Sequence, residues 1–393
     1  MNTCFWRFVL VAGTAVLLTA CGNKETKEAL DKASALEAQK QYQDANHALV
    51  DAVHAREAEL KTEAGSPTDQ AAIDALVKKA KADPEILKME RAQVRIYLDL
   101  ERADLASVVY ADILAGNPGD TVVFDLLHDK ETVIRNGAVR ILGLAGTADA
   151  IDALAAATKD ADQEVRRSAV VALGAIKDPK SNPPQMDPRV VPPLIAALKD
   201  AYWDVRSEAA NALGQSHQGS AVKPLLDAVT DSDSTVETSA ETALLFLSKA
   251  PDGPGKAAAA PDDFVARLND PNPKIVLISA VCLASLKDAR AIPYLVKLTT
   301  SPDRTTRLDA VRGLGEVGDP SVIPTLRQTL KDPDVYMRGW SIIGLGTMKD
   351  EGSLPDLRAI AADPAEPDKI KAAANDAINH IAPSTAPATT TNQ

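Results

Sequence analysis

A ten-residue segment that returns along the chain limits the possible folds more than any other feature. Val165-Arg166-Arg167-Ser168-Ala169-Val170-Val171-Ala172-Leu173-Gly174 reappears, with substitutions, as Val205–Gly214 and as Thr306–Gly315. Aligned on Arg166, eight copies place Arg135, Arg166, Arg206, Glu237, Leu277, Arg307, Arg338 and Lys371 at one position. The spacings are 31, 40, 31, 40, 30, 31 and 33. A period near 31 with two nine-residue expansions points to a repeat array running from Leu126 to Ile381. A fixed period in this range marks supersecondary units that bury their apolar faces only by stacking on one another.

Each repeat reads as two short helices. In the first, Val165, Ala169, Ala172, Leu173 and Ile176 share one face of a 3.6-residue period. In the second, Val191, Leu194, Ile195 and Leu198 do the same, with proline in the opening turn at Pro192, Pro224, Pro293, Pro324 and Pro355. Gly174 and its equivalents near the end of the first helix are expected to act as left-handed C-caps. Aspartates at Asp160-Ala161-Asp162 and Asp231-Ser232-Asp233 read as N-caps of the next helix. They lack the glycine and terminal glutamate of a calcium loop.

These residues resemble HEAT-like repeats of the armadillo superfamily, in the short form of the phycobilisome lyases, over about two-thirds of the chain. The resemblance implies an all-α fold, an α-solenoid of helix pairs with a right-handed twist and a concave face lined by second helices. It also implies a polar ladder between repeats, made by the recurrent aspartate and the arginine six residues on. Here the ladder residues are Asp160 with Arg166, Asp200 with Arg206 and Asp332 with Arg338; Asp129, Arg135, Asp231 and Arg307 stand at like positions. Glu237 and Leu277 break the pattern, so the fourth and fifth repeats should join differently.

The N-terminus carries an export signal. Arg7 precedes an apolar run from Phe8 to Ala20, shorter than the ~20 residues that a membrane-spanning helix needs. The run ends in Leu18-Thr19-Ala20-Cys21, which resembles the lipobox of bacterial lipoproteins. That resemblance implies cleavage of residues 1–20 and lipidation of Cys21, with acyl chains as the membrane anchor. Gly22 stands where aspartate would signal inner-membrane retention, which favours the outer membrane, facing the periplasm. Residues 21–118 then hold the anchor and Ala-rich helices. Ala92 to Pro118 resembles a tetratricopeptide repeat through Tyr97, Leu98, Ala106, Tyr110 and Leu114, with an earlier copy around Ala35 to Ala55. A plain helical hairpin accounts for the same residues. Residues 119–381 form the HEAT-like array, and 382–393, rich in Thr, Ala and Pro, cannot build a core.

Chemistry is harder to find than architecture. Acidic residues outnumber basic ones, 55 to 43, which argues against nucleic acid as a partner. Gly313-Leu314-Gly315-Glu316-Val317-Gly318 matches a dinucleotide fingerprint in letters, yet it closes a repeat helix where the fingerprint needs a strand before it. The five histidines form no metal-ligating set, and the His-Glu dipeptides of HEAT-repeat di-iron hydroxylases do not occur. Cys282 reads as an apolar filler. The chain is therefore expected to be no enzyme and to use no cofactor or metal, and to bind a protein or peptide as an envelope scaffold. The alternatives are an accessory subunit that positions an enzyme and a structural spacer of the envelope.

Candidate contact residues come in two sets. Tyr202, Trp203, Tyr336 and Trp340 put aromatics into slots that are polar or small in other repeats; such residues either anchor a partner or pack on the adjoining repeat. Lys223, Asp227, Tyr294, Lys297, Arg327 and Arg358 are expected on the second helices. The two expansions, Asp178 to Asp187 and Ala250 to Pro261, lie between first and second helices, where insertions often flank a binding side.

Overall fold

Apolar residues recurring at helical spacing, and few aromatics, build helix upon helix. The computed structural model describes residues 22–65, 69–182, 184–248 and 261–383. Among these, every regular element is helical, and the single β-type pairing is an isolated bridge between Lys177 and Met186. The signal segment, Cys21, residues 250–260 of the second expansion and residues 384–393 lie outside the described residues. The chain divides into two compact units, Met1–Val190 and Val191–Gln393.

The N-terminal unit opens with α1 (Gly22–Ala38), α2 (Tyr42–Glu63), α3 (Gln70–Lys81), α4 (Pro84–Asp99) and α5 (Ala103–Gly116). Two hairpins, α1–α2 and α4–α5, turn in the same way. Lys40 and Glu101 adopt left-handed backbone, with φ of 59° and 57°. The next amide in each case, Gln41 or Arg102, bonds back to the carbonyl of Leu36 or Tyr97, closing the orphaned carbonyls of the helix end. Ala45, Leu49, Val53, Leu60, Leu76, Ile86, Met89 and Ile96 form the core between them. The unit continues through α6 (Val122–Leu126), α7 (Thr132–Ala145), α8 (Ile151–Ala157) and α9 (Gln163–Ala175). The first expansion follows, pinned by backbone bonds Asp178 to Gln185 and Asp187 to Ile176.

The C-terminal unit alternates long first helices with short second ones: α10 (Val191–Ala197), α11 (Trp203–Gly214), α12 (Val222–Ala228), α13 (Ser234–Ser248), α14 (Pro261–Val265), α15 (Pro273–Ser285), α16 (Ile292–Leu298), α17 (Arg304–Val317), α18 (Ile323–Thr329), α19 (Val335–Thr347), α20 (Leu354–Ala362) and α21 (Asp368–Ile381). The second helices α12, α16, α18 and α20 are each entered through a single 3-10 turn, whose third residue (Ala221, Ala291, Val322 or Ser353) is fully buried. Asp288 and Asp319 cap two of these turns by accepting the amides of Arg290 and Ser321. Prolines 293, 324 and 355 occupy first-turn positions, where no amide is missed.

The repeat glycines do something other than cap. A Cβ built on Gly214 would lie 2.7 Å from the Cα of Ala243, and one on Gly344 would lie 3.0 Å from the Cα of Gly315. Gly346 meets Ala377 in the same way, and in the N-terminal unit Gly143 meets Ala172. These glycines lie within helices, where successive first helices cross with no room for a side chain. The left-handed turn comes three residues later, at Gly146 and Gly318, and at His217, Lys287 and Lys349 where no glycine is present. The expected capping role of the Leu-Gly glycines is thus replaced by close helix packing.

Candidate protein-docking surface

The ladder residues set the register that any surface must follow. In the N-terminal unit, Arg135 donates from Nε and Nη2 to both carboxylate oxygens of Asp160, at 2.8 and 2.9 Å. Its Nη1 bonds back to the carbonyl of Asp129 at 2.9 Å. Arg166 likewise donates to the carbonyl of Asp160, and Arg95 of α4 donates to Asp129. In the C-terminal unit, Arg206 bonds Asp231 at 2.8 and 2.6 Å and the carbonyl of Asp200 at 2.9 Å. Arg338 holds the carbonyl of Asp332 and reaches Glu366 at 2.7 Å. Asp129, Asp160 and Asp231 each also accept an amide of their own turn, from Glu131, Asp162 and Asp233. One arginine therefore ties its own turn to the next, and the forked guanidinium is the side chain that fits both tasks.

On this register, Tyr336, Trp340 and Ile343 follow one another at i, i+4 and i+7 on α19 and share a face, about 10 Å long at 1.5 Å per residue. They are 61%, 37% and 50% exposed. In the three preceding repeats the Trp340 slot holds Ser239, Ser279 or Asp309, and the Ile343 slot holds Thr242, Cys282 or Arg312. The ridge is held in place from one end. Arg304 of α17 donates from Nε to Asp334 at 2.5 Å, and its guanidinium lies 5.3 Å from the Tyr336 ring centroid. Asp334 in turn accepts the Tyr336 amide and caps α19. Bonding to Arg304 keeps the Asp334 carboxyl below the usual carboxylate range.

The other candidates are more scattered. Tyr202 and Trp203, about half exposed, stand at the entry of α11, with Trp203 its first residue. On the second helices, Lys223, Lys297 and Arg358 are exposed. Tyr294 donates to Asn269 at 3.1 Å, Asp227 accepts from Arg267 at 3.0 Å, and Arg327 donates from Nε to Asp350 at 2.7 Å. Those three are engaged within the chain. Ile343 and Arg304 were not singled out from sequence; the i, i+7 spacing from Tyr336 was the available signal for Ile343. Among the described residues no group of three or more His, Cys, Asp or Glu side chains is placed to hold a metal ion, and no helix is long and apolar enough to cross a membrane.

The profile of HEAT repeats matches residues 121–184, 185–245 and 297–379. These stretches cover more than half of the chain, which belongs to the HEAT-repeat family. No curated protein matches it. Among solved structures it is similar to YibA of E. coli, at 22% identity and a TM-score of 0.41, over 66% of this chain and 92% of that one. An engineered protein gives 20% identity and a TM-score of 0.39, over 90% and 98%. The complex of CpcE and CpcF of phycocyanin lyase from Nostoc sp. gives 18% and 0.30, over 66% and 93%.

Proposed function

We propose that this HEAT-repeat chain is a protein-binding scaffold of the cell envelope, held to the outer membrane by lipid on Cys21 and facing the periplasm. The observation that carries the binding role is the Tyr336, Trp340 and Ile343 ridge. Exposed aromatics on a rigid helix supply contact area at little cost in side-chain entropy, the character of residues that dominate protein interfaces. Tyr336, at one end of the ridge, is held by Arg304 and Asp334 before any partner arrives. The anchor rests on the Leu18-Thr19-Ala20-Cys21 sequence, and the N-terminal hairpins are read as tetratricopeptide-like.

The test is photo-cross-linking in intact cells from position 347, one turn beyond Ile343 on the same helix face, in the otherwise native chain and in a Trp340→Ala/Ile343→Ser variant. A reproducible partner captured by the first and reduced at least about tenfold in co-purification with the second is expected, since interface anchors are each worth about 2 kcal/mol or more. Equal capture by both proteins would remove the ridge from the interface. The anchor is checked separately by radiolabelled palmitate, with incorporation expected in the native chain and lost in Cys21→Ser.

A further inference from the structure

Counting four residues on from the arginine position reaches a slot that is apolar in nearly every repeat: Val139, Val170, Ala210, Val281, Val311 and Ile342, each buried. In the fourth repeat the slot holds Glu241, on α13. The same repeat and the next lack the ladder arginine, having Glu237 and Leu277. In place of the fork, Lys274 of α15 bonds Glu237, a single ammonium contact with the charges reversed. On α15, Ser279 is fully buried and its Oγ has no hydrogen-bond partner. An unmet hydroxyl of this kind weakens packing. The α13 helix also packs more sparsely on α15 than on α11. Residues 246–296, which include α15 but not Glu237 or Glu241, are left unmatched by the HEAT profile.

The charges around Glu241 do not balance. Glu237 stands on its own helix, Lys274 on α15, and Asp309 on α17, with Asp303, Arg312 and Glu316 acting on Asp309 in turn. Lys274 is already held by Glu237, and Arg312 by Asp309 at 2.9 Å. On the far side of α13, α11 directs Arg206 to Asp231, and α12 directs Asp227 to Arg267. Burial, then repulsion from Glu237 and Asp309, raises the Glu241 carboxyl above its ordinary range against the pull of Lys274.

We propose that the α13–α15 seam is the joint at which the C-terminal repeats flex, and that Glu241 sets its closure: loose while the carboxylate is charged, tight once it takes a proton. In the neutral state the side chain fills its slot as Val and Ile do in other repeats, and the like charges across the seam fall by one. This inference stands apart from the docking ridge and does not depend on it.

Amide hydrogen exchange on the full chain tests it, at about pH 7.5 and about pH 5, with each rate corrected for intrinsic exchange and referred to α17 and α19 in the same molecule. Acidification should raise protection in α13 and α15 over that reference, because a carboxyl whose pKa is raised in the closed seam takes its proton more readily there than when the seam is open. Glu241→Gln should show the higher protection at both pH values, and Glu241→Val more still. A wild-type ratio that does not change with pH would overturn the proposal, as would a pH response that persists undiminished in Glu241→Gln.

Discussion

Lys349 is an exposed lysine with φ of 54°, in the left-handed region that side chains bearing a Cβ disfavour. Gly318 meets the same backbone requirement one repeat earlier, with φ of 69°. Lys349→Gly is therefore expected to stabilise the protein by about 0.5–1 kcal/mol, after the loss of unfolded-state restraint is deducted. Thermal denaturation would register this as a small rise in Tm. Gly214→Val carries the opposite sign, because even a Cβ there would stand 2.7 Å from the backbone of Ala243. Overpacking at such a crossing costs about 1–3 kcal/mol, and denaturant midpoints would show the loss. Both residue types appear in the repeat alignment, yet the sequence assigned the capping role to the wrong glycine. A glycine required for φ and a glycine required for clearance are the same letter, and only the positions of neighbouring helices separate them.

At the scale of elements, the helix pairs and their buried faces were legible because an apolar residue at the wrong period would face water. Val165, Ala169, Leu173 and Ile176 are all buried, as their spacing requires. The ladder was legible only in part. The recurrent Asp and Arg positions are visible in the alignment, but Glu366 as the partner of Arg338, and Arg95 as the partner of Asp129, depend on where chain segments 28 and 34 residues apart meet. Arg206→Lys measures what the fork contributes. Lysine retains the charge but cannot hold both Asp231 oxygens and the Asp200 carbonyl. A loss of about 1–3 kcal/mol in unfolding free energy is expected from the bonds to charged groups. A value near zero in urea titration would show that the ladder is ornamental.

For the whole molecule, acid should act in two stages. Bonding to Arg135, Arg327 and Arg304 lowers the pKa of Asp160, Asp350 and Asp334. Groups depressed in the fold contribute stability above their unfolded pKa and lose it as pH falls through the folded values. Glu241, Asp309, Glu37 and Asp99 are raised, chiefly by burial. Their ionisation opposes folding, so protonation on the way down from neutral relieves a cost. Tm is therefore expected to rise slightly below neutral pH and to fall steeply once the pH drops beneath the ordinary carboxylate range. A monotonic decline from neutrality would mean that the raised group has no net weight. Asp99→Asn should remove part of the early rise, since Asp99 belongs to a crowded set with Glu131 and Asp129 around Arg95.

The sequence by itself determined that this chain is a helical repeat protein, and which face the helices of the repeat bury. Those properties depend on local periodicity and on residues only a few positions apart. It also marked the fourth and fifth repeats as different, through the missing arginines. Tertiary structure decided which glycines mediate contact, which charged side chains are already engaged, and that Tyr336, Trp340 and Ile343 form one exposed ridge held at its Tyr336 end. Those outcomes turn on distances between helices that are neighbours in space and roughly thirty residues apart in the chain, a separation at which a one-residue shift in packing exchanges a buried side chain for an exposed one.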